Sequence, residues 1–426
     1  MWTNWSGGQH GHPVATVRPL DEAGVRAAVR RAAERGLRIR PVGAGHSFSP
    51  LAVTDEVALE LSAFTGVVSC TEKRVRVRAG TTLAQLNNEL DARELSLASF
   101  GDVDTPTVAG AVATGMHGSF AETGSLSSQV LGVRLIDGTG KAVEIRADEL
   151  DAVRTGLGAI GVVTEVELAV RPRYLMRLVQ DRVPLEEALA PEFLDGHTWA
   201  EVWVFPYAED ALTRYTDEVS EASPPSRAET VRSLERRLVR SAAVGGGVAL
   251  GRTVPKLVPR INRVATRWAP AATTAGEHTD LAHRVLLARP VVRWEESEWA
   301  LPRAALGDGV RALLAAISGS GLDVGFPLEV RVGPAETGWL HPAYGRDTAW
   351  IAVHTAHGAD PEPLSRLAAE VLGAHGGRPN WAKRHPWTAD EVAAAYPKLA
   401  DFRAVRDHHD PDRVFASPHL TDLLGT

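Results

Sequence analysis

In the run Phe326-Pro327-Leu328-Glu329-Val330-Arg331-Val332 a carboxylate and a guanidinium alternate with aliphatic side chains. Extended backbone turns successive side chains to opposite faces, so Glu329 and Arg331 share one face while Leu328 and Val330 share the other. Such a pair is by default a surface cross-strand ion pair, and spacing alone favours that reading over the polar wall of a site. His354 lies in a second run of this kind, Trp350-Ile351-Ala352-Val353-His354-Thr355-Ala356-His357. Ala352 and Ala356 share its face and leave room for a small ligand, or His354 is a hydrogen-bonded core histidine. His357 reads as ordinary.

Three glycine-rich segments precede these runs. The loop Val42-Gly43-Ala44-Gly45-His46-Ser47-Phe48-Ser49 directly follows the strand-like Leu37-Arg38-Ile39-Arg40-Pro41. Glycines let backbone N–H groups converge and an anion come close, which is what a pyrophosphate requires. Phe48 stands where the dinucleotide fingerprint would have its third glycine, which disfavours an NAD-type site. The second segment runs from Gly101 and Asp102 through Thr107, Gly110, Ala111, Thr114, Gly115, His117 and Gly118 with almost no bulky side chain. Backbone there must approach either a ligand or a sheet closely. The third is Gly158-Ala159-Ile160-Gly161-Val162-Val163-Thr164. Three such turns in one unit suggest a single extended ligand.

The elements that would carry them are α+β in pattern. Asp21 to Arg35 has apolar positions at helical spacing, acids first and bases last, with Gly36 as a stop. Ala58–Leu61 and the strictly alternating Arg74–Arg78 read as strands, and Thr82–Arg93 as a helix with a threonine cap. With 426 residues and 44% hydrophobic content, the chain is globular and long enough for two or three domains. A net charge of −7 argues against general nucleic-acid binding. Cys70 is the only cysteine, which excludes intrachain disulfides, iron–sulfur clusters and cysteine-rich zinc sites, and no metal is expected. The N-terminus lacks an apolar export core and no run of about 18 apolar residues occurs, so a cytoplasmic protein is expected.

Taken together, the His46 loop, the Thr107-Val108-Ala109-Gly110 to His117-Gly118 segment and the Gly158-to-Thr164 turn resemble the flavin domain of the vanillyl-alcohol-oxidase superfamily. Within it the chain is most similar to the aldonolactone and alditol oxidases. Trp2-x-Asn4-Trp5, Phe326 to Arg331, Ala343-Tyr344-Gly345-Arg346-Asp347, Gly377 to Lys383, Tyr396-Pro397, Asp401-Phe402 and Asp410 to Phe415 carry the likeness. It covers about residues 1–175 and 290–426. It implies an α+β, two-domain flavoprotein: an FAD-binding domain over 8–172, a substrate (cap) domain over 173–400 built on an antiparallel sheet, and a segment, 401–426, that returns to the FAD domain.

The resemblance further implies that FAD is bound by Val42, Gly43, Ala44, Gly45, His46, Ser47, Gly101, Asp102, Thr107, Gly110, Ala111, Thr114, Gly115, His117, Gly118, Gly158, Gly161, Val163 and Lys383. His46 would attach covalently to the flavin 8α-methyl group, as a neutral imidazole is a good nucleophile near pH 7. Glu329, Arg331, Lys383 and His354 would be catalytic. Arg331 and Lys383 suit the cation that holds the reduced, anionic ring. Either Glu329 or Lys383 takes the hydroxyl proton. The substrate implied is a small polyhydroxylated compound, an aldono-1,4-lactone before an open-chain alditol. O2 is the electron acceptor favoured, because Gly101 would leave it a path, with a dehydrogenase as the alternative. Retention of Glu329, Arg331 and Lys383 together speaks against a non-catalytic flavin- or sugar-binding protein.

Asn380 departs from the family pattern, which commonly has histidine there. An amide donates and accepts hydrogen bonds but does not titrate near neutrality, which puts the exact substrate in doubt. Between Arg227 and Arg267 bases far outnumber acids and apolar residues recur at helical spacing. This stretch reads as cap-domain helices with a solvated basic face, ahead of a membrane-surface segment.

Overall fold

In the computed structural model of the chain, residues 1–220, 246–247, 250–251, 253–272, 278–287 and 292–425 are described. The helix Glu22–Glu34 starts where the Asp21 carboxylate accepts the Gly24 N–H at 2.8 Å. Its buried positions Val25, Ala28, Val29 and Ala32 fall at helical spacing and pack on a three-stranded parallel sheet of Ala15–Val17, Val57–Glu60 and Ile39–Val42. The same core holds Val414 and Phe415 from the far end of the chain. They reach it because the Asp410 carboxylate accepts the N–H groups of both, at 2.8 and 2.9 Å, folding a tight turn. The Val414 carbonyl then accepts the Ile39 N–H at 2.8 Å.

A five-stranded antiparallel sheet stands beside it, in the order Ala142–Ile145, Val130–Ile136, Val162–Ala169, Arg74–Arg78, Val67–Cys70. The alternation in Arg74–Arg78 sends Val75 and Val77 into the core and the arginines outward. Arg74 and Arg76 pair there with Glu167 at 3.0 Å and Glu165 at 2.6 Å.

The second domain is an eight-stranded antiparallel sheet. Its central strands are Asp210–Val219, Trp199–Val204, Leu328–Gly333, Thr348–Ala356 and Trp294–Pro302, paired in that order. One face, including Val202, Leu328, Val330, Ile351 and Leu301, is covered by the helices Leu306–Ser320 and Glu362–Ala374. The side chains that alternate with these, Glu201, Glu298, Glu329 and Arg331 among them, face the first domain. The architecture is thus α+β with two domains and a large antiparallel sheet in the second.

Of the basic stretch, residues 227–245, 248, 249 and 252 lie outside the described residues. The helix Val258–Ala272 docks on the sheet through Val258, Asn262 and Thr266, and Asn262 donates to the carbonyls of Pro206 and Val324 at 3.2 and 3.0 Å. Arg260, Arg263 and Arg267 lie exposed on the opposite face. Among the described residues no helix is long and apolar enough to cross a membrane.

Candidate active site

A cavity of about 270 Å³ runs between the two domains. All three glycine-rich segments reach it. Val42, Gly43, Ala44, Gly45, His46 and Ser47 line it from the first, Asp102, Thr107, Gly110, Ala111, Thr114 and His117 from the second, and Gly158, Gly161 and Val163 from the third. From the second domain come Glu296, Glu298, Glu329 and Arg331, with Asn380 and Lys383 on the loop that follows.

The first loop is held open by contacts far away in sequence. The Gly45 carbonyl accepts the Trp5 N–H at 2.7 Å, Asn4 donates to the Ser47 carbonyl at 3.0 Å, and the Ala382 carbonyl accepts the Phe48 N–H at 2.6 Å. The Ser49 hydroxyl donates to the Trp381 carbonyl at 2.6 Å. This lacing carries Lys383 to the cavity wall. A Cβ at Gly43 would stand 2.9 Å from Thr107 Oγ1, so glycine lets the first and second segments close on each other. Gly158 has φ +65° and lies against Arg40, whose guanidinium donates to the carbonyls of Leu51, Leu157, Gly158 and Phe415. Small residues and exposed backbone on one wall, with apolar Val42, Leu61 and Leu135 beside them, fit an extended dinucleotide.

His46 Nε2 is 2.6 Å from Thr105 Oγ1 and its ring stacks on Trp5 at 5.6 Å. Burial, helped by the Lys383 charge, pushes its pKa down to about 4, so the imidazole is neutral at physiological pH. With Nε2 engaged by Thr105, Nδ1 is the nitrogen left for bonding.

At the opposite wall Arg331 sits among three carboxylates. Its guanidinium is 2.6 Å from Asp102, 3.1 Å from Glu201 and in contact with Glu329. Oxygens of these three acids lie within 4.8 Å of one another, a spacing a cation fills, and the Arg331 guanidinium is that cation. Burial pushes the Glu329 carboxyl well above the usual range; Arg331 opposes this, and Glu201 and Asp102 reinforce it. Lys383 Nζ is 2.6 Å from Glu296 and lies over the Phe48 ring. Burial works against its charge, but Glu296 and Glu298 outweigh it and hold the ammonium above its ordinary pKa.

Four expected residues do not line the cavity: His354, Gly101, Gly115 and Gly118. His354 stands behind the wall, its Nε2 3.7 Å from Glu329 and 3.9 Å from Glu296 and its Nδ1 3.3 Å from the Pro327 carbonyl. A Cβ at Gly101 would meet the Met116 side chain at 2.2 Å. The end of the Met116 side chain occupies the space that the missing side chain of Gly101 leaves. Gly115, at φ +69°, abuts His341, and Gly118 abuts the Phe100 carbonyl. Sequence reasoning missed Glu201, Glu296 and Glu298 altogether. The signal for the last two was the Glu-x-Glu spacing in Trp294-Glu295-Glu296-Ser297-Glu298, which puts two acids on one face of a strand.

Fold and site together define a two-domain, FAD-binding oxidoreductase. Residues 13–146 match the FAD binding domain family and residues 166–423 the D-arabinono-1,4-lactone oxidase family. The chain is 35% identical to an L-gulono-1,4-lactone dehydrogenase of Mycobacterium tuberculosis, over 100% of this chain and 99% of that one. It is 31% identical to an alditol oxidase of Streptomyces sp., over 99% and 98% of the two chains, and 28% identical to the L-gulonolactone oxidase of Bos taurus, over 99% and 97%. Among solved structures, a cholesterol oxidase from B. sterolicum superimposes with a TM-score of 0.80 at 19% identity, covering 99% of this chain and 96% of that one, a likeness of fold alone. The chain belongs to the D-arabinono-1,4-lactone oxidase family.

Proposed function

We propose that the protein oxidises a hydroxyl of an aldono-1,4-lactone of the L-gulono or D-arabinono type. FAD, held by the three glycine-rich segments, would supply the hydride-accepting centre, with O2 as the electron acceptor and H2O2 as the co-product. The observation that carries this is the convergence of Glu329, Arg331 and Lys383 on the cavity that the glycine-rich segments line. Glu329 receives the hydroxyl proton, because burial, Glu201 and Asp102 raise its proton affinity well above that of an ordinary carboxylate. Lys383 stays an ammonium and is the fixed positive charge of the wall. Arg331, locked by Asp102 and Glu201, orients Glu329. His354 supports Glu329 from behind rather than touching substrate. His46, whose Nδ1 is left open by the Nε2 contact to Thr105, would be the residue that tethers FAD at the flavin 8α-methyl group.

A substrate panel read on an oxygen electrode tests the activity. Oxygen uptake with aldonolactones supports the proposal; uptake with alditols alone moves the substrate class, and no uptake with any overturns it. A second proposal, a dehydrogenase with another acceptor, is supported by Met116 filling the space beside Gly101. It predicts turnover with an artificial dye and none with O2.

A further inference from the structure

The sheet carries a second carboxylate on the cavity wall whose surroundings oppose those of Glu329. In register, Glu329 and Glu298 are the cross-strand neighbours of Ala352 on its two sides. Their backbones are therefore roughly 10 Å apart, with only a methyl group between them. Glu298 Oε2 accepts from Asn380 Nδ2 at 2.6 Å and lies 3.3 Å from His117 Nε2. Asn380 is fixed in this orientation, since its Oδ1 accepts the Ala382 N–H at 3.0 Å.

His117 is fixed as well. Its Nδ1 is 2.9 Å from the Gly118 carbonyl, which requires a proton there. Its other ring nitrogen faces the Glu298 carboxylate, and the ring stacks on Trp350 at 3.7 Å. Burial would raise the Glu298 pKa, but His117, Lys383 and Arg331 outweigh it and hold the carboxyl far below its usual range. Glu298 is thus held in its anionic form. Neither fixing contact uses Oε1.

We propose that Glu298 is a specificity-determining residue: its Oε1 accepts a hydrogen bond from a substrate hydroxyl other than the one oxidised, with Asn380 and His117 as its positioning residues. This rests on the polyhydroxylated substrate proposed above. A carboxylate that must stay charged suits reading a hydroxyl, whereas one of raised proton affinity, Glu329, suits collecting a proton. An amide at 380 holds the anion without titrating, so the contact persists across neutral pH.

The test is Glu298→Gln, in which the new amide keeps both fixing contacts and loses the charge. Wild type and variant are compared on an oxidised lactone and on each of its singly deoxygenated analogues. One analogue should be worse than the parent by roughly 10- to 100-fold in kcat/KM for wild type, as expected for a hydrogen bond to a charged group. That gap should shrink to a few-fold in the variant. Calorimetric binding of a non-oxidised polyol competitor should weaken by the same factor, with unchanged Tm and flavin spectrum. If Glu298→Gln loses equal factors on parent and all analogues, or keeps the wild-type gap on each, the proposal is overturned and the functional reading stands. If wild type oxidises no lactone or polyol, both fall.

Discussion

Neighbouring carboxylates act on both Lys383 and Glu329: they hold the Lys383 ammonium charged and, with burial, raise the proton affinity of Glu329. Lys383 faces Glu296 at 2.6 Å, so Lys383→Met removes the charge the wall is built around while leaving the glycine-rich segments untouched. The variant should stay yellow and lose about 100- to 1000-fold in kcat, as when one preorganised electrostatic group is deleted. Unchanged turnover in stopped-flow bleaching would sink the assigned role. Glu329 must be deprotonated to accept a proton, and its folded pKa is raised. The rate should accordingly fall as pH drops through a midpoint above the ordinary carboxylate value of about 4.3, and Glu329→Gln should abolish that limb of the kcat/KM profile. For His46, acid precipitation should carry the flavin into the pellet, and His46→Ala should leave it in the supernatant.

At the level of elements, the strands Leu328–Gly333, Thr348–Ala356 and Trp294–Pro302 build the wall, and a buried arginine ties together the pieces around it. Arg40 is 4% exposed and donates to four backbone carbonyls drawn from residues 51, 157, 158 and 415. With no carboxylate to offset its burial, its pKa is pulled down to about 10. Arg40→Met would strand those carbonyls and should cost about 3 kcal/mol or more in urea unfolding. Arg18→Met, at a surface pair with an exposed arginine, should change stability by about 1 kcal/mol or less. The face shared by Glu329 and Arg331 was legible from the period of two. Its neighbours were not, since Arg331 meets Asp102 across 229 residues and Asn380 meets Glu298 across 82. His354 shows the converse: alternation gave its face of the strand, but the sheet partners decide that it backs Glu329 rather than lining the cavity.

For the whole molecule, buried neutral histidines set the response to acid. His385 and His419 face each other with rings 6.2 Å apart, His385 also faces Trp381, and His419 feels the Arg40 charge. Burial, with like-charged neighbours second, lowers His385 to about 3 and His419 to about 4. The folded pKa values lie below the unfolded value of about 6.5, so their contribution is fully present above it and lost as pH falls toward 4 and then 3. Between pH 7.5 and 5 each should cost on the order of 1–2 kcal/mol, read as urea midpoints. A His385→Gln/His419→Gln variant should show a shallower decline; an identical decline would exclude the pair. The sequence by itself determined the glycine-rich turns, the α+β pattern, and the Glu329–Arg331 face, because backbone freedom and side-chain period act between near neighbours. Only the tertiary structure decided which carboxylates surround Arg331 and Lys383, that Gly101 packs against Met116, and that Glu298 is pinned as an anion. Charge states of buried groups depend on partners that the chain brings together from far apart, and no local spacing encodes them.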